Sequence, residues 1–157
     1  MATGHWFTNR GKYLALQGKL ADGTTTLGIG LLVGSQPAAL DTEAEVQDIN
    51  TVAELLTSGT GAATEAAFTN YVRKTLASVT NTEDDTNNRT AIDAADVTWT
   101  SAGGASNETV YGAFIYDKTT DTNDTTRLVV SVDWFASSIT TNGGDLTYAI
   151  ADLYRAS

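Results

Sequence analysis

The sequence of 157 residues predicts a mainly β protein. The expected architecture is an antiparallel β-sandwich, jelly-roll-like, or a partly open barrel, with one short inserted helix near residues 42–57. Three observations carry this expectation. Short runs of alternating apolar and polar residues are separated by turn-forming clusters, the pattern of half-buried strands. Thr is the commonest residue, with 27 copies, and a β-branched residue with a hydroxyl suits a pleated, half-wet surface. Only one stretch has a three- and four-residue apolar spacing.

Residues 12–20 place Leu14, Leu16 and Leu20 on one face of a strand, with Tyr13, Gln17 and Lys19 opposite. Ala21-Asp22-Gly23 then reads as a tight hairpin turn. The next run, Leu27, Ile29, Leu31 and Val33, has Gly28 and Gly30 on its other face, which suits close approach of another group. Pro37, the only proline, ends that hairpin. Over 42–57, Val46, Ile49, Ala53 and Leu56 recur as on a helix face. Two capping-box patterns compete there, Thr42 with Glu45 and Thr51 with Glu54. Either one helix runs through, or Asn50 breaks it and about 51–57 alone is helical. Ser58-Gly59-Thr60-Gly61 closes this stretch. Strands are expected at about 70–80, 90–93, 96–101, 109–117, 126–135 and 145–154. In 126–135, Leu128, Val130, Val132 and Trp134 face in, and Arg127, Ser131 and Asp133 face out. Asn142-Gly143-Gly144-Asp145 is a turn before the last strand.

Length allows one domain with a real core, here an N-terminal arm of residues 1–10 followed by a β-rich domain over 11–157. Leu, Ile, Val and Phe number only 33, so neighbours are expected to finish burying its faces. Nine Lys and Arg against 19 Asp and Glu give a net charge of −10, which argues against nucleic-acid binding. There is no Cys, hence no disulfide or thiolate chemistry. No apolar run approaches the roughly 20 residues of a membrane helix.

No active site can be assembled, and no cofactor is expected. His5 is the one histidine, and a general base needs rigid support that a terminal arm does not supply. Oxygen-rich loops at 83–88 and 117–124 could hold a cation, but neither matches an EF-hand loop, and Asp, Asn and Thr also serve as turn-formers. The Gly pairs lack any phosphate-loop pattern. The arm is more suggestive: His5, Trp6, Phe7 and Arg10 are the candidate partner-binding residues, because aromatic and arginine side chains anchor interfaces.

Beyond composition, an ordered series of short segments stands out. It runs through Asn9-Arg10-Gly11-Lys12-Tyr13-Leu14, Thr51-Val52-Ala53-Glu54-Leu55, Ser58-Gly59-Thr60-Gly61 and Tyr71-Val72-Arg73-Lys74-Thr75-Leu76. Glu83-Asp84-Asp85, Asn88-Arg89, Asp93-Ala94-Ala95-Asp96-Val97-Thr98-Trp99, Gly112-Ala113-Phe114-Ile115-Tyr116 and Thr141-Asn142-Gly143-Gly144-Asp145-Leu146 follow. In this order the chain, from about residue 9 to 149, resembles a family of small virion proteins of tailed bacteriophages. The Ala/Thr-rich stretch Gly61 to Thr69 and the end from Ala151 to Ser157 depart from it. The resemblance implies a non-enzymatic structural protein. The expectation is a capsid decoration, or cement, protein on the outer head surface, bound to the major capsid protein and to itself as a homotrimer. A tail- or fibre-associated adaptor and a carbohydrate-binding module on the particle surface, with Trp99 and Trp134 as its test residues, are the alternatives.

Overall fold

The structure is a computed structural model and describes residues 4–57, 59–86, 89–119, 122–150 and 153–156. Its strands are β1 (Gly4–Phe7), β2 (Leu27–Val33), β3 (Thr64–Glu65), β4 (Lys74–Thr75), β5 (Thr80–Asp84) and β6 (Arg89–Asp93). They continue with β7 (Val97–Trp99), β8 (Thr109–Asp117), β9 (Val129–Thr140), β10 (Leu146–Tyr148) and β11 (Tyr154–Ala156). The α-helices are α1 (Asn9–Leu16), α2 (Glu43–Gln47) and α3 (Val52–Leu56).

All strand pairings among these are antiparallel. The central sheet has the order β1-β9-β8-β2-β3, with β4 also on β2; β10-β7 and β11-β6-β5 form two small sheets. The fold is therefore mainly β and antiparallel, as the alternation predicted.

Both faces of the central sheet are covered. On one, Leu27, Ile29, Leu31 and Val33 of β2 meet Leu14 of α1, Trp99 of β7 and Ile92 of β6. On the other, Leu32, Phe114 and Trp134 meet Val46 of α2 and Leu55 of α3. This double cover explains why β2 is buried from end to end, although most antiparallel sheets keep one face wet. It also places Ser131, expected outside, at 1 % exposure. Val130 and Val132, expected on one face, belong to opposite ones, because β9 carries an extra residue, Val130, between Val129 and Ser131, which pair with the adjacent Tyr116 and Ile115 of β8.

Residues 12–20 are not a strand. Thr8 caps α1, its hydroxyl accepting from Gly11 N at 2.9 Å, and Gly18 takes a left-handed φ of 71° just past the end. These end signals outweigh an alternation that eight residues cannot distinguish from a helix face. Asp22-Gly23 accordingly makes a local turn, not a hairpin: Asp22 Oδ1 accepts from Thr24 N and Thr25 N at 2.8 Å each. In the 42–57 stretch both capping boxes form, giving two helices where one was expected. The break has a cause: Asn50 O accepts from Val129 N and Arg127 O from Val52 N, so this backbone holds the start of β9. The 70–80 strand shrinks to β4, the 126–135 strand extends to Thr140, and the 145–154 strand divides into β10 and β11.

Arg73 fastens the sheet on its second face. Gly28 and Gly30 of β2 sit directly beneath the rings of Tyr116 and Phe114, and the Arg73 guanidinium lies 5.3 and 5.4 Å from those ring centres. The same guanidinium donates two bonds to Glu65 of β3, both 2.6 Å. Two more, 2.7 and 2.8 Å, go to Asp124 in the loop before β9. Burial opposes the charge, but the paired carboxylates outweigh it and hold Arg73 protonated. Arg73 in turn depresses the Asp124 carboxyl below its usual range.

Two outcomes follow for stability. Arg73→Met removes four charge-assisted bonds and leaves two carboxylates without their shared partner, at a cost of about 3 kcal/mol, read as a lowered urea midpoint. Asp124 has a depressed folded pKa, so its contribution is present above the unfolded value of about 3.9 and is lost on acidification. The difference between Arg73→Met and the parent should therefore narrow below that pH. Gly11→Ala places a methyl 2.0 Å from Val130 O; because backbone cannot step aside as a side chain does, it should cost about 1–3 kcal/mol by the same measurement.

Candidate functional site

The structure gathers the four sequence-predicted residues at one edge of the central sheet. Gly4–Phe7 do not stand off as an arm but pair with β9, Gly4 opposite Trp134 and Phe7 opposite Ser131. Alternation sends His5 and Phe7 to one face and Trp6 to the other. Trp6 packs against the cluster holding Val132 and Trp134, and Phe7 against the cluster holding Leu14 and Val130. All three are half-buried, and Arg10 is exposed on α1. The Thr8 side chain locks the junction, donating to Val129 O at 2.6 Å.

Two helices flank this edge, one from each face of the sheet. α1 contacts β1 and β9, and α2 contacts β1. They meet where Lys12 Nζ lies 3.7 Å from Glu43 Oε1. On α1, Gly11 and Leu14 point inward; at 100° per residue the opposite, outward side carries Tyr13 and Leu16. Leu16 is 83 % and Tyr13 50 % exposed, and Arg10 lies over the Tyr13 ring at 5.5 Å. Sequence reading missed Leu16 as a surface residue because strand alternation put it inside. The Thr8 cap would have corrected this.

His5 faces Asp133 across the β1–β9 pair and stacks on Phe7 at 5.2 Å. Its Nε2 is buried with no hydrogen-bond partner. Burial lowers the His5 pKa against the opposing pull of Asp133. Asp133 Oδ2 accepts from Tyr148 OH at 2.8 Å, and Tyr148 stacks on Phe135. These side chains, with Ser137 and Leu146, line a groove of about 220 Å³ between β9 and β10. Trp99 and Trp134, at 1 % and 2 % exposure, are core residues that no sugar ring could stack upon.

The two acidic loops lie partly outside the described residues, at Asn87, Asn88, Thr120 and Asp121. Within them, Asp117 Oδ1 accepts from Thr119 N and Oγ1 at 2.9 and 2.6 Å, and Asp124 is engaged by Arg73 and Arg127. Among the described residues no group of three His, Asp or Glu side chains could hold a metal ion.

The placement of His5 sets a pH dependence. The folded chain keeps it neutral while the unfolded chain takes up a proton below about pH 6.5. Its contribution is thus full above that pH and declines as pH falls through the folded pKa. Thermal unfolding between pH 7 and 5 should show this decline in the parent and a flatter profile in His5→Gln; identical profiles would contradict it. Comparison with protein families, curated proteins and solved structures found no match to this chain.

Proposed function

We propose that this protein is a non-enzymatic structural component of a tailed-phage virion, a decoration protein that sits on the outer head surface and bridges neighbouring subunits. The observation that carries this reading is the position of three of the four exposed large apolar side chains among the described residues; the fourth, Ile139, lies on β9. Tyr13 and Leu16 lie on α1 beside the β1 edge, while Val72, 61 % exposed, stands two residues before β4 at the opposite edge of the same sheet. A bridging protein needs contact points at two separated edges joined by a stiff body. Here the body is a sheet covered on both faces and clamped across its width by Arg73.

The order of segments resembling small phage virion proteins supports the same reading, as does an acidic composition that keeps free copies soluble before assembly. Each copy needs to contribute only a few kcal/mol, since many sites act together on one particle. The major capsid protein is the expected partner, together with further copies of this chain.

The reading is tested in purified particles. Quantification of copies per particle and a density map should show hundreds of copies over the head lattice. Val72→Asp should lower occupancy at least tenfold while the free protein keeps its melting temperature. A dozen or fewer copies would move the protein to the tail apparatus, and absence from particles would end the virion reading.

A further inference from the structure

The charged residues of this chain are sorted along it in a way that its overall balance conceals. Residues 1–19 contain Arg10, Lys12 and Lys19 and no acid; residues 20–72 contain seven acids and no Lys or Arg. Four of those seven, Asp41, Glu43, Glu45 and Asp48, fall on α2 and the residues bordering it, and all four are exposed.

Folding sets the two blocks side by side. Lys12 and Glu43 mark the seam, 3.7 Å apart. On one side lie α1, with Arg10, Tyr13 and Leu16, and Lys19 in the turn that follows it; on the other lies α2 with its acids. The Glu45 carboxyl accepts from both the hydroxyl and the amide of its cap, Thr42, at 2.8 and 3.0 Å, which lowers its pKa and keeps it charged. The surface thus runs from positive through apolar to negative.

We infer that this face is a homodimer interface, a pair in place of the trimer expected from the sequence, in which α1 of one copy docks against α2 of a second copy and the reverse. A two-fold axis turns a surface that is positive on one side and negative on the other into its own complement. Arg10 and Lys19 then face the second copy's acids twice, and Tyr13 and Leu16 form the apolar centre that the charges surround. Tyr and Arg are the side chains that most often anchor such contacts. The net charge of −10 does not forbid the pairing. At 0.15 M salt the screening length is about 8 Å, so the facing local charges outweigh the distant ones. Val72, outside this face, stays free for a different neighbour. This pairing concerns the chain alone and is tested without particles, so its failure and that of the virion reading are separate results.

The test is sedimentation equilibrium of the full chain at 1–100 micromolar, in the range where a surface of this kind is expected to associate. The parent should reach the mass of two copies. Arg10→Glu with Lys19→Glu makes both sides negative; Asp41→Lys with Asp48→Lys sets two lysines against the two remaining acids and cancels the charge of the acidic side. Each double variant should weaken self-association at least tenfold, and circular dichroism should show both folded. Mixed in equal amounts, the two should pair with each other and regain the two-copy mass, because the unaltered acids of the first then face the unaltered basic side of the second, and the introduced acids face the introduced lysines. Leu16→Ser should weaken the parent pair without any change of charge. A parent that stays at one copy to 100 micromolar, a three-copy assembly, or folded double variants that do not recover on mixing would each overturn the proposal.

Discussion

The fold depends on one stack: two glycines, two aromatic rings and a guanidinium. Gly28 and Gly30 present no side chain on the second face of β2, so Tyr116 and Phe114 from the neighbouring strand lie flat across it. Their outward faces are then a surface on which a cation is favoured, and Arg73 occupies it. A half-buried cation needs neutralising, which fixes Glu65 and Asp124, and through them β3 and the loop entering β9. Small residues, which at first weaken the case for a core, are what allow the aromatic layer to close.

The sequence conveyed most where a pattern was long or tied to specific end chemistry. β2, β8 and the first part of β9 were legible from alternation, and both capping boxes were real. It failed at residues 12–20, where Leu14, Leu16 and Leu20 fit a strand face as well as Gly11, Leu14 and Ala15 fit a helix face. Deciding between the two needed Thr8, whose capping role is visible in the sequence but whose anchorage on the Val129 carbonyl, 121 positions away, is not. The division of 42–57 into two helices was equally hidden, because the cause lies in β9.

The proposed partner-binding residues tell a similar story. His5, Trp6, Phe7 and Arg10 are the arm residues expected to bind a partner, and three of them are edge-strand residues, of which Trp6 and Phe7 pack against the two cores. Their neighbourhood, not their side chains, is where the surface becomes distinctive. The separation of basic and acidic blocks could have been read from the sequence; that they would meet across one sheet edge could not.

Tyr71 shows how the opposite edge is kept from doing the same kind of work. Between β3 and β4 the chain leaves β2, and the Leu31 amide would face outward with no backbone partner. The Tyr71 hydroxyl accepts from it at 3.0 Å and donates to Glu65 at 2.7 Å. A side chain thereby fills one rung of the ladder, and with backbone bonds from Ala66 to Leu31 and from Leu76 to Leu27 on either side, no continuous row of donors and acceptors remains there. Exposed edges of that kind template the addition of foreign strands. At high local concentration, this edge can be crowded by other copies without recruiting them into a growing sheet.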